Sequence, residues 1–286
     1  MPKIPWLRLI RSLTFISVST YLLVCGLLFF FQNRLLYPGA YFPLDLRLED
    51  FQDPRFQVWK DGQGTFLGLK YIQPGAEANW VYFHGNGDQV QNLTWWHEIL
   101  EKAFPERKWN LYLPEYPGFG LKEGRPDEES LTQASRHALN HLSQPTLPLY
   151  LVGQSLGSAV AVKMATDPSL KSEGLLLVTP FSSLSEAAQV FLERGFGPLH
   201  HFLPASLLLR DQWPNNSLLP SYQGRLWIIS SDQDSITPSW MGRELLQLAS
   251  EPKRFTEQSS SDHWVDWENL KPHETQWDFL WPQASP

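Results

Sequence analysis

The chain has 286 residues and a formal net charge of −7, and this length is enough for one large domain with a sizeable core. The acidic balance, with no Lys/Arg cluster longer than a dipeptide, argues against a nucleic-acid partner because phosphate backbones attract basic surfaces. The only cysteine, Cys25, lies in an apolar N-terminal run. The rest of the chain can therefore form no internal disulfide and no cysteine-ligated metal site.

The apolar N-terminal run covers residues 13–31 without a charge, close to the roughly 20 residues that a helix needs to cross a bilayer core. We predict a transmembrane anchor over this run, preceded by a cytoplasmic segment of residues 1–12. A cleaved signal peptide would have a shorter apolar region and a small-residue cleavage site after it. A lipidated Cys25 is the other alternative, and an uninterrupted helix fits the flanking residues better.

The basic residues on the two sides of the run predict its orientation. Lys3, Arg8 and Arg11 precede it, whereas Arg34 is the nearest basic residue after it. Because positive charge concentrates on the cytoplasmic side, we expect the N-terminus in the cytoplasm and the remaining chain on the periplasmic or lumenal side.

The chain after the anchor divides into a linker, residues 32–50, and a folded domain, residues 51–286. Residues 56–59 and 65–72 are rich in apolar and β-branched side chains and flank a glycine-containing turn, which predicts a hairpin. Beyond the hairpin, short apolar runs alternate with longer amphipathic stretches. The runs are residues 80–83, 109–113, 147–152, 175–178 and 226–229. This alternation predicts an α/β fold whose mainly parallel central sheet carries helices on both faces.

Three amphipathic stretches have recognisable helix starts. The predicted helices cover residues 89–103 after Asp88, 128–142 after Asp127, and 239–248 after a Thr-Pro pair. Between residues 182 and 222 the alternation of apolar runs and amphipathic stretches is no longer regular. We interpret this segment as an insertion, and it contains more apolar residues than an exposed loop requires. This insertion is either a small lid over the active site or an ordinary excursion packed on the domain surface.

The pentapeptide GQSLG at residues 153–157 follows an apolar strand and begins a helix rich in small residues. This is the context of a nucleophile elbow, in which the turn is too tight for side chains at the two glycine positions. Ser155 is therefore the candidate nucleophile. The backbone N–H of Leu156, at the helix N-terminus, is a candidate oxyanion-hole donor. A glycine-bracketed turn without chemistry is the alternative interpretation.

The tetrapeptide HGNG at residues 84–87 ends an earlier strand. In a fold with such a nucleophile elbow, the second oxyanion donor comes from the loop after an early strand, and we choose Asn86 for that role. We expect His84 to hold this loop and not to act as a base. A simple strand-to-helix turn remains the alternative.

The general base and its acid are expected after the nucleophile in the order Asp or Glu, then His. Asp232 and Asp234 both follow a late strand, and we favour Asp234 because it lies just ahead of a helix start. His263, in the polar loop after the predicted edge strand 253–257, is the candidate base, and His273 competes with it. A serine hydroxyl needs an imidazole to accept its proton and a carboxylate to orient that imidazole.

These motifs, with EYPGFG at residues 115–120, DSITP at 234–238 and DH at 262–263, resemble the membrane-anchored α/β-hydrolase-domain serine hydrolases. The resemblance covers the chain from about residue 56 to the C-terminus, and the apolar N-terminal run also fits it. It implies an α/β-hydrolase fold, hydrolysis of esters, thioesters or amides, and a place for residues 116–120 near the active site. Asp88 departs from the family pattern, in which a glycine or another small residue follows the oxyanion loop.

The leading hypothesis is therefore a serine hydrolase that cleaves carboxylic esters or thioesters through an acyl-serine intermediate, without cofactor or metal. The apolar insertion near a membrane favours lipid-like or long-chain acyl substrates. An acyltransferase that uses the same residues and a binding module that lacks turnover are the alternatives. The sequence does not predict the oligomeric state.

Overall fold

A computed structural model describes residues 5–41, 53–259, 262–267 and 277–282. Within these ranges, eight strands form one sheet in the order β1-β2-β4-β3-β5-β6-β7-β8. The strands are β1 (Gln57–Lys60), β2 (Phe66–Tyr71), β3 (Ala78–Phe83), β4 (Trp109–Pro114), β5 (Leu149–Gln154), β6 (Gly174–Val178), β7 (Arg225–Ser231) and β8 (Lys253–Gln258). β1 and β2 form the predicted antiparallel hairpin, β2 pairs antiparallel with β4, and β3 to β8 are mutually parallel. The predicted α/β fold is confirmed.

The central strands are buried along their whole length, as expected for parallel strands covered on both faces. On one face, the core includes Leu131, Val160 and Met241 from three helices. On the other face, Trp80 of β3 stacks on Tyr150 of β5, with ring centroids 4.7 Å apart. These apolar runs therefore form strands because each of their faces meets a helix layer or a cluster of aromatic side chains.

The described helices of the domain include four near predicted positions and three more in the insertion, for which the sequence predicts no helix. They are α2 (Trp96–Ala103), α3 (Glu128–Leu139), α4 (Leu156–Ala165), α5 (Leu184–Phe196), α6 (Ala205–Leu208), α7 (Asn215–Leu218) and α8 (Ser239–Leu248). α3 begins after Asp127, whose side chain accepts a hydrogen bond from Ser130 N–H in a capping box. α8 has the predicted bounds, whereas α3 ends three residues before its predicted end.

The prediction of one helix from residue 89 is wrong. Val90–Leu93 forms a single 3₁₀ turn, and α2 begins only at Trp96. Asp88 caps neither element, because their N-cap residues are Gln89 and Trp95 and no side chain caps either start. Val90 N–H donates instead to the Glu115 carboxylate at 3.1 Å. The first N–H of the 3₁₀ turn therefore has its acceptor in the loop that follows β4.

The N-terminal helix α1 (Pro5–Leu36) is longer than the predicted span of residues 13–31. Its candidate membrane span, Arg8–Leu36, has a mean hydropathy of 2.1. No residue in the most apolar stretch of this span is buried against the rest of the protein. Residues 32–36, assigned to the linker from the sequence, continue the helix. A 3₁₀ turn at Pro38–Tyr41 then follows, and the rest of the predicted linker lies outside the described residues.

The insertion at residues 182–222 is mainly helical and packs against α1. Leu192, Leu203 and Ala205 form a small apolar cluster with Val24 and Leu28 of α1. The Gln32 side chain is buried and donates to Leu208 O at 3.0 Å, while its oxygen accepts from Arg210 N–H at 2.8 Å. The insertion is thus fastened to the last turns of α1.

Candidate active site

Ser155 lies in a sharp turn between β5 and α4, with a φ of 51° that non-glycine residues rarely adopt. The turn is possible because the neighbouring glycines allow close backbone contacts. A Cβ on Gly157 would lie 2.0 Å from Phe83 O, and one on Gly153 would lie 2.2 Å from Gly157 O. The fold thus presents the Ser155 hydroxyl at the carboxyl end of the sheet, where an α/β-hydrolase nucleophile lies.

The three candidate catalytic side chains, which come from distant parts of the chain, meet at this point. Ser155 Oγ lies 2.9 Å from His263 Nε2, and His263 Nδ1 lies 2.8 Å from Asp234 Oδ2. Because a carboxylate only accepts hydrogen bonds, His263 Nδ1–H donates to Asp234 and leaves Nε2 to accept from the serine hydroxyl. The arrangement is therefore suited to proton transfer from Ser155.

The local backbone holds Asp234 in place. Its Oδ1 accepts from the N–H groups of Ile236 and Thr237, both at 2.8 Å, and Thr237 Oγ1 lies 2.9 Å from its Oδ2. The residue is buried. Asp232, the other candidate acid, is exposed. The hydroxyl of Thr237, which sequence reasoning did not single out, also lies 3.3 Å from His263 Nδ1.

The two candidate oxyanion donors lie on either side of Ser155. Leu156 is the first residue of α4, so its N–H has no acceptor within the helix. The loop with Asn86 passes close by, since a Cβ on Gly85 would lie 3.6 Å from Ser155 Cβ. Asn86 lines the same cavity as Ser155. Both residues therefore border the space in which an acyl oxygen would develop charge.

The end of α1 braces the loop of residues 84–87, which contains the candidate oxyanion donor Asn86. Asn86 Nδ2 donates to Leu36 O at 3.2 Å, and Asn86 O accepts from Gly39 N–H at 2.9 Å. These bonds use backbone groups of the segment that follows the apolar run of residues 13–31. Nothing in the sequence pattern pairs this segment with residues 84–87.

His84 holds the loop from its buried side. Its Nε2 lies 2.8 Å from Glu115 Oε1 and its Nδ1 lies 2.8 Å from Gly85 O, consistent with the expected structural role. Glu115, also fully enclosed, accepts from Tyr116 N–H at 3.0 Å. Nearby, burial raises the pKa of the Asp88 carboxyl; His84 opposes this shift and Glu115 adds to it. Glu115 is a positioning residue that only the resemblance to the family indicated.

A mainly apolar cavity of about 200 Å³ opens beside Ser155. One wall comes from the insertion and another from the last turns of α1. The α1 residues that line it are Leu28, Gln32, Leu35 and Leu36, and the insertion contributes Leu184, Ala187, Phe191, Leu192, Ala205 and Leu208. α1 therefore contributes to the candidate site, in addition to its predicted role as an anchor.

The other histidines have different partners. His137 Nε2 lies 3.0 Å from Asp61, and His97 Nδ1 lies 2.6 Å from Thr94 O. His200 lies in the insertion, with Nδ1 2.6 Å from Gly197 O. His273, the competitor to His263, lies outside the described residues.

A family model described as "Alpha/beta hydrolase family" matches residues 80–284, well over half of the chain. The chain belongs to the alpha/beta hydrolase family. It is 33% identical over 262 residues to protein Rv2307c of Mycobacterium tuberculosis, a match that covers 87% of both chains. The family membership agrees with the fold and with the order of the three candidate catalytic residues.

Two lipases are among the similar proteins of this hydrolase family. The chain is 23% identical to the lysophosphatidylserine lipase ABHD12 of Macaca fascicularis over 69% of its own length, and it spans about half of that enzyme (52%). The crystal structure of a Paleococcus ferrophilus monoacylglycerol lipase superposes with a TM-score of 0.54 at 16% identity, covering 73% of this chain and 96% of the lipase. At that identity the likeness shows the shared fold. The family membership and the similarity in sequence to a lipase together support a hydrolase activity.

Proposed function

We propose that this alpha/beta hydrolase cleaves carboxylic esters or thioesters through an acyl-serine intermediate, with Ser155 as nucleophile, His263 as base and Asp234 as orienting acid. The observation that carries the proposal is the hydrogen-bonded series from Ser155 Oγ to His263 at 2.9 Å and on to Asp234 at 2.8 Å. A hydroxyl, an imidazole and a carboxylate in this order are the parts that acyl transfer to serine requires.

In the first half of the reaction, His263 Nε2 takes the proton of Ser155 as Oγ bonds to the acyl carbon. Asp234 stabilises the resulting imidazolium, which then donates the proton to the leaving alcohol or thiol as its bond to the acyl carbon breaks. In the second half, His263 takes a proton from water, which attacks the acyl-serine and releases the carboxylic acid. The backbone N–H groups of Leu156 and Asn86 stabilise the oxyanion in both halves.

Long-chain acyl esters, lipids among them, are the proposed substrate class. The cavity beside Ser155 is lined mainly by leucine, alanine and phenylalanine side chains, and burial of each methylene there is worth about 0.8 kcal/mol. Two similar proteins are named as lipases of monoacyl lipids. The insertion at residues 182–222 acts as the lid of this cavity.

The membrane arrangement is also part of the proposal. Residues 1–12 remain in the cytoplasm, residues 13–31 cross the bilayer, and the domain beginning near residue 51 faces the periplasm or lumen. The basic residues before the helix support this orientation. With Cys25→Ala, a Ser221→Cys variant placed in a bacterial inner membrane should react, in intact cells, with a maleimide that enters the periplasm and does not cross that membrane. Reaction only after lysis would reverse the orientation.

A fluorophosphonate probe tests the catalytic assignment. The wild-type chain should become covalently labelled, and Ser155→Ala should abolish labelling and lower ester hydrolysis by about 10⁴-fold or more. Ser235→Ala, beside Asp234, is the matched control and should label at the wild-type rate. An unlabelled wild type, or a labelled Ser155→Ala variant, would contradict the proposal.

A further inference from the structure

The insertion exposes large apolar side chains to its surroundings. Phe191, Phe196, Leu199, Phe202 and Leu207 form this set, here named the insertion patch, and Leu207 is 81% exposed. No Asp, Glu, Lys or Arg occurs from residue 195 to residue 209. A cluster of exposed apolar side chains of this size marks an interaction surface, and the absence of charge suits an apolar partner.

The insertion patch belongs to the part of the domain that lies against the anchor. Its neighbours Leu192 and Leu203 pack with Val24 and Leu28 of α1. The hydrogen bonds of Gln32 with Leu208 O and Arg210 N–H fix the position of the insertion along α1. Wherever the outer part of α1 lies in the bilayer, the insertion lies beside it.

The length of α1 sets the depth of this contact. The uncharged run between Arg11 and Arg34 extends about 33 Å as a helix, close to the roughly 30 Å of a hydrocarbon core. With these two arginines at opposite interfaces, Leu28 lies about 9 Å and Val24 about 15 Å below the level of Arg34. The insertion side chains that touch them then lie at the depth of the acyl chains.

The cavity beside Ser155 borders the same region. Leu28 and Leu35 of α1 line it together with Phe191, which also belongs to the insertion patch. A lipid in the adjacent leaflet would therefore meet the cavity lining directly from the membrane, without crossing water.

We propose that the insertion patch is embedded in the leaflet on the side of the catalytic domain and guides lipid acyl chains from that leaflet into the cavity. The inference rests on the proposed function, because it assigns the source of that enzyme's substrate. A lipid surface is favoured over a protein partner because the patch continues the lipid-facing surface of α1. It is also uncharged across fifteen successive residues, 195–209.

Depth-dependent fluorescence quenching tests the location without using catalysis. The full chain, with Cys25→Ala, is labelled at Leu207→Cys or Phe202→Cys with an environment-sensitive fluorophore and reconstituted into phosphatidylcholine vesicles that carry acyl-chain nitroxides. Leu248→Cys is the control, because α8 runs back from the carboxyl end of β7 to the start of β8 and ends far from the site. Quenching at residues 202 and 207 should exceed that at 248 at least twofold. Equal quenching at all three positions would overturn the proposal.

An activity measurement tests the guidance of lipids. The double variant Leu199→Asp, Phe202→Asp should lose at least tenfold in hydrolysis of a long-chain ester held in vesicles, while hydrolysis of a water-soluble butyrate ester stays at the wild-type rate. If the double variant and the wild type hydrolyse the vesicle substrate at equal rates, the proposal is overturned. Failure of the wild type on both substrates would instead contradict the proposed function, which separates the two inferences.

Discussion

The turn that carries Ser155 and the cavity wall beside it are built in opposite ways. At the turn, backbone atoms approach so closely that Gly153 and Gly157 leave no room for a Cβ, and Ser155 has a positive φ. At the wall, flexible apolar side chains from α1 and the insertion surround about 200 Å³ of space. In the proposed function, the first region fixes the geometry of bond cleavage, whereas the second determines which acyl group fits. We therefore expect substitutions at the turn to abolish activity and substitutions at the wall to change preference.

The largest effect among these substitutions is expected for Asp234→Asn, because Asp234 contacts His263, the partner of Ser155 at the turn. An amide beside His263 Nδ1 favours the wrong imidazole tautomer, so kcat should fall by about 10⁴-fold with little change in KM. Steady-state kinetics on a soluble ester measure this loss. Asp232→Asn, two residues away and exposed, should stay within about twofold of wild type, and an equal loss in that variant would contradict the assignment.

A substitution of the elbow glycine tests the close backbone contacts. In Gly157→Ala, the new Cβ would lie 2.0 Å from Phe83 O, so the backbone must shift. We expect the free energy of unfolding to fall by about 1–3 kcal/mol and fluorophosphonate labelling to slow at least tenfold. Gly195→Ala, with no heavy atom within 4 Å of the new Cβ, should stabilise α5 slightly. A similar fall in the free energy of unfolding for Gly157→Ala and Gly195→Ala would contradict the close backbone packing inferred for the Ser155 turn.

A larger side chain in the cavity wall should change chain-length preference. Leu28→Trp fills space that a long acyl chain would occupy, so the ratio of kcat/KM for a long-chain ester to that for a short-chain ester should fall by about tenfold. Leu27→Trp, on the exposed side of the same helix turn, should leave the ratio unchanged. An unchanged ratio in Leu28→Trp would mean that acyl chains bind elsewhere.

The smallest effect concerns Asp88, next to the oxyanion loop. Burial raises its pKa in the folded protein, so its ionised form is disfavoured by folding and lowers stability above this raised pKa. Asp88→Asn should therefore raise the thermal midpoint at pH 7, and this gain should disappear as the pH falls below the ordinary aspartate pKa of about 3.9. Thermal unfolding at several pH values checks the sign, and a gain that is independent of pH would contradict it.

Elements with strong local patterns were predictable from the sequence. The buried strands appear as apolar runs because both of their faces are covered, and α3 begins at a capping box that uses only nearby residues. The GQSLG motif identified the elbow for the same reason, since its geometry depends on adjacent glycines. Ser155, Asp234 and His263 could be chosen because each follows a predicted strand in a fixed order.

Features that depend on distant contacts were not predictable. The helix expected from residue 89 is interrupted, with Val90 N–H bonded to Glu115 of another loop. The extension of α1 to Leu36 depends on partners of Gln32 in the insertion, more than 170 positions away. The bond from Asn86 to Leu36 O likewise joins segments that no local pattern connects.

The bonds between the oxyanion loop and residues 36–39 decide how a water-soluble version of this enzyme should be made. A truncation that begins after α1, at Tyr37, would delete Leu28 and Leu35 from the cavity lining, and it would remove the Leu36 carbonyl that accepts from Asn86. A cut upstream of Val24 keeps these groups. In the proposed membrane arrangement, polar substitutions on the lipid-facing side of the retained turns would then make the truncated chain soluble without detergent.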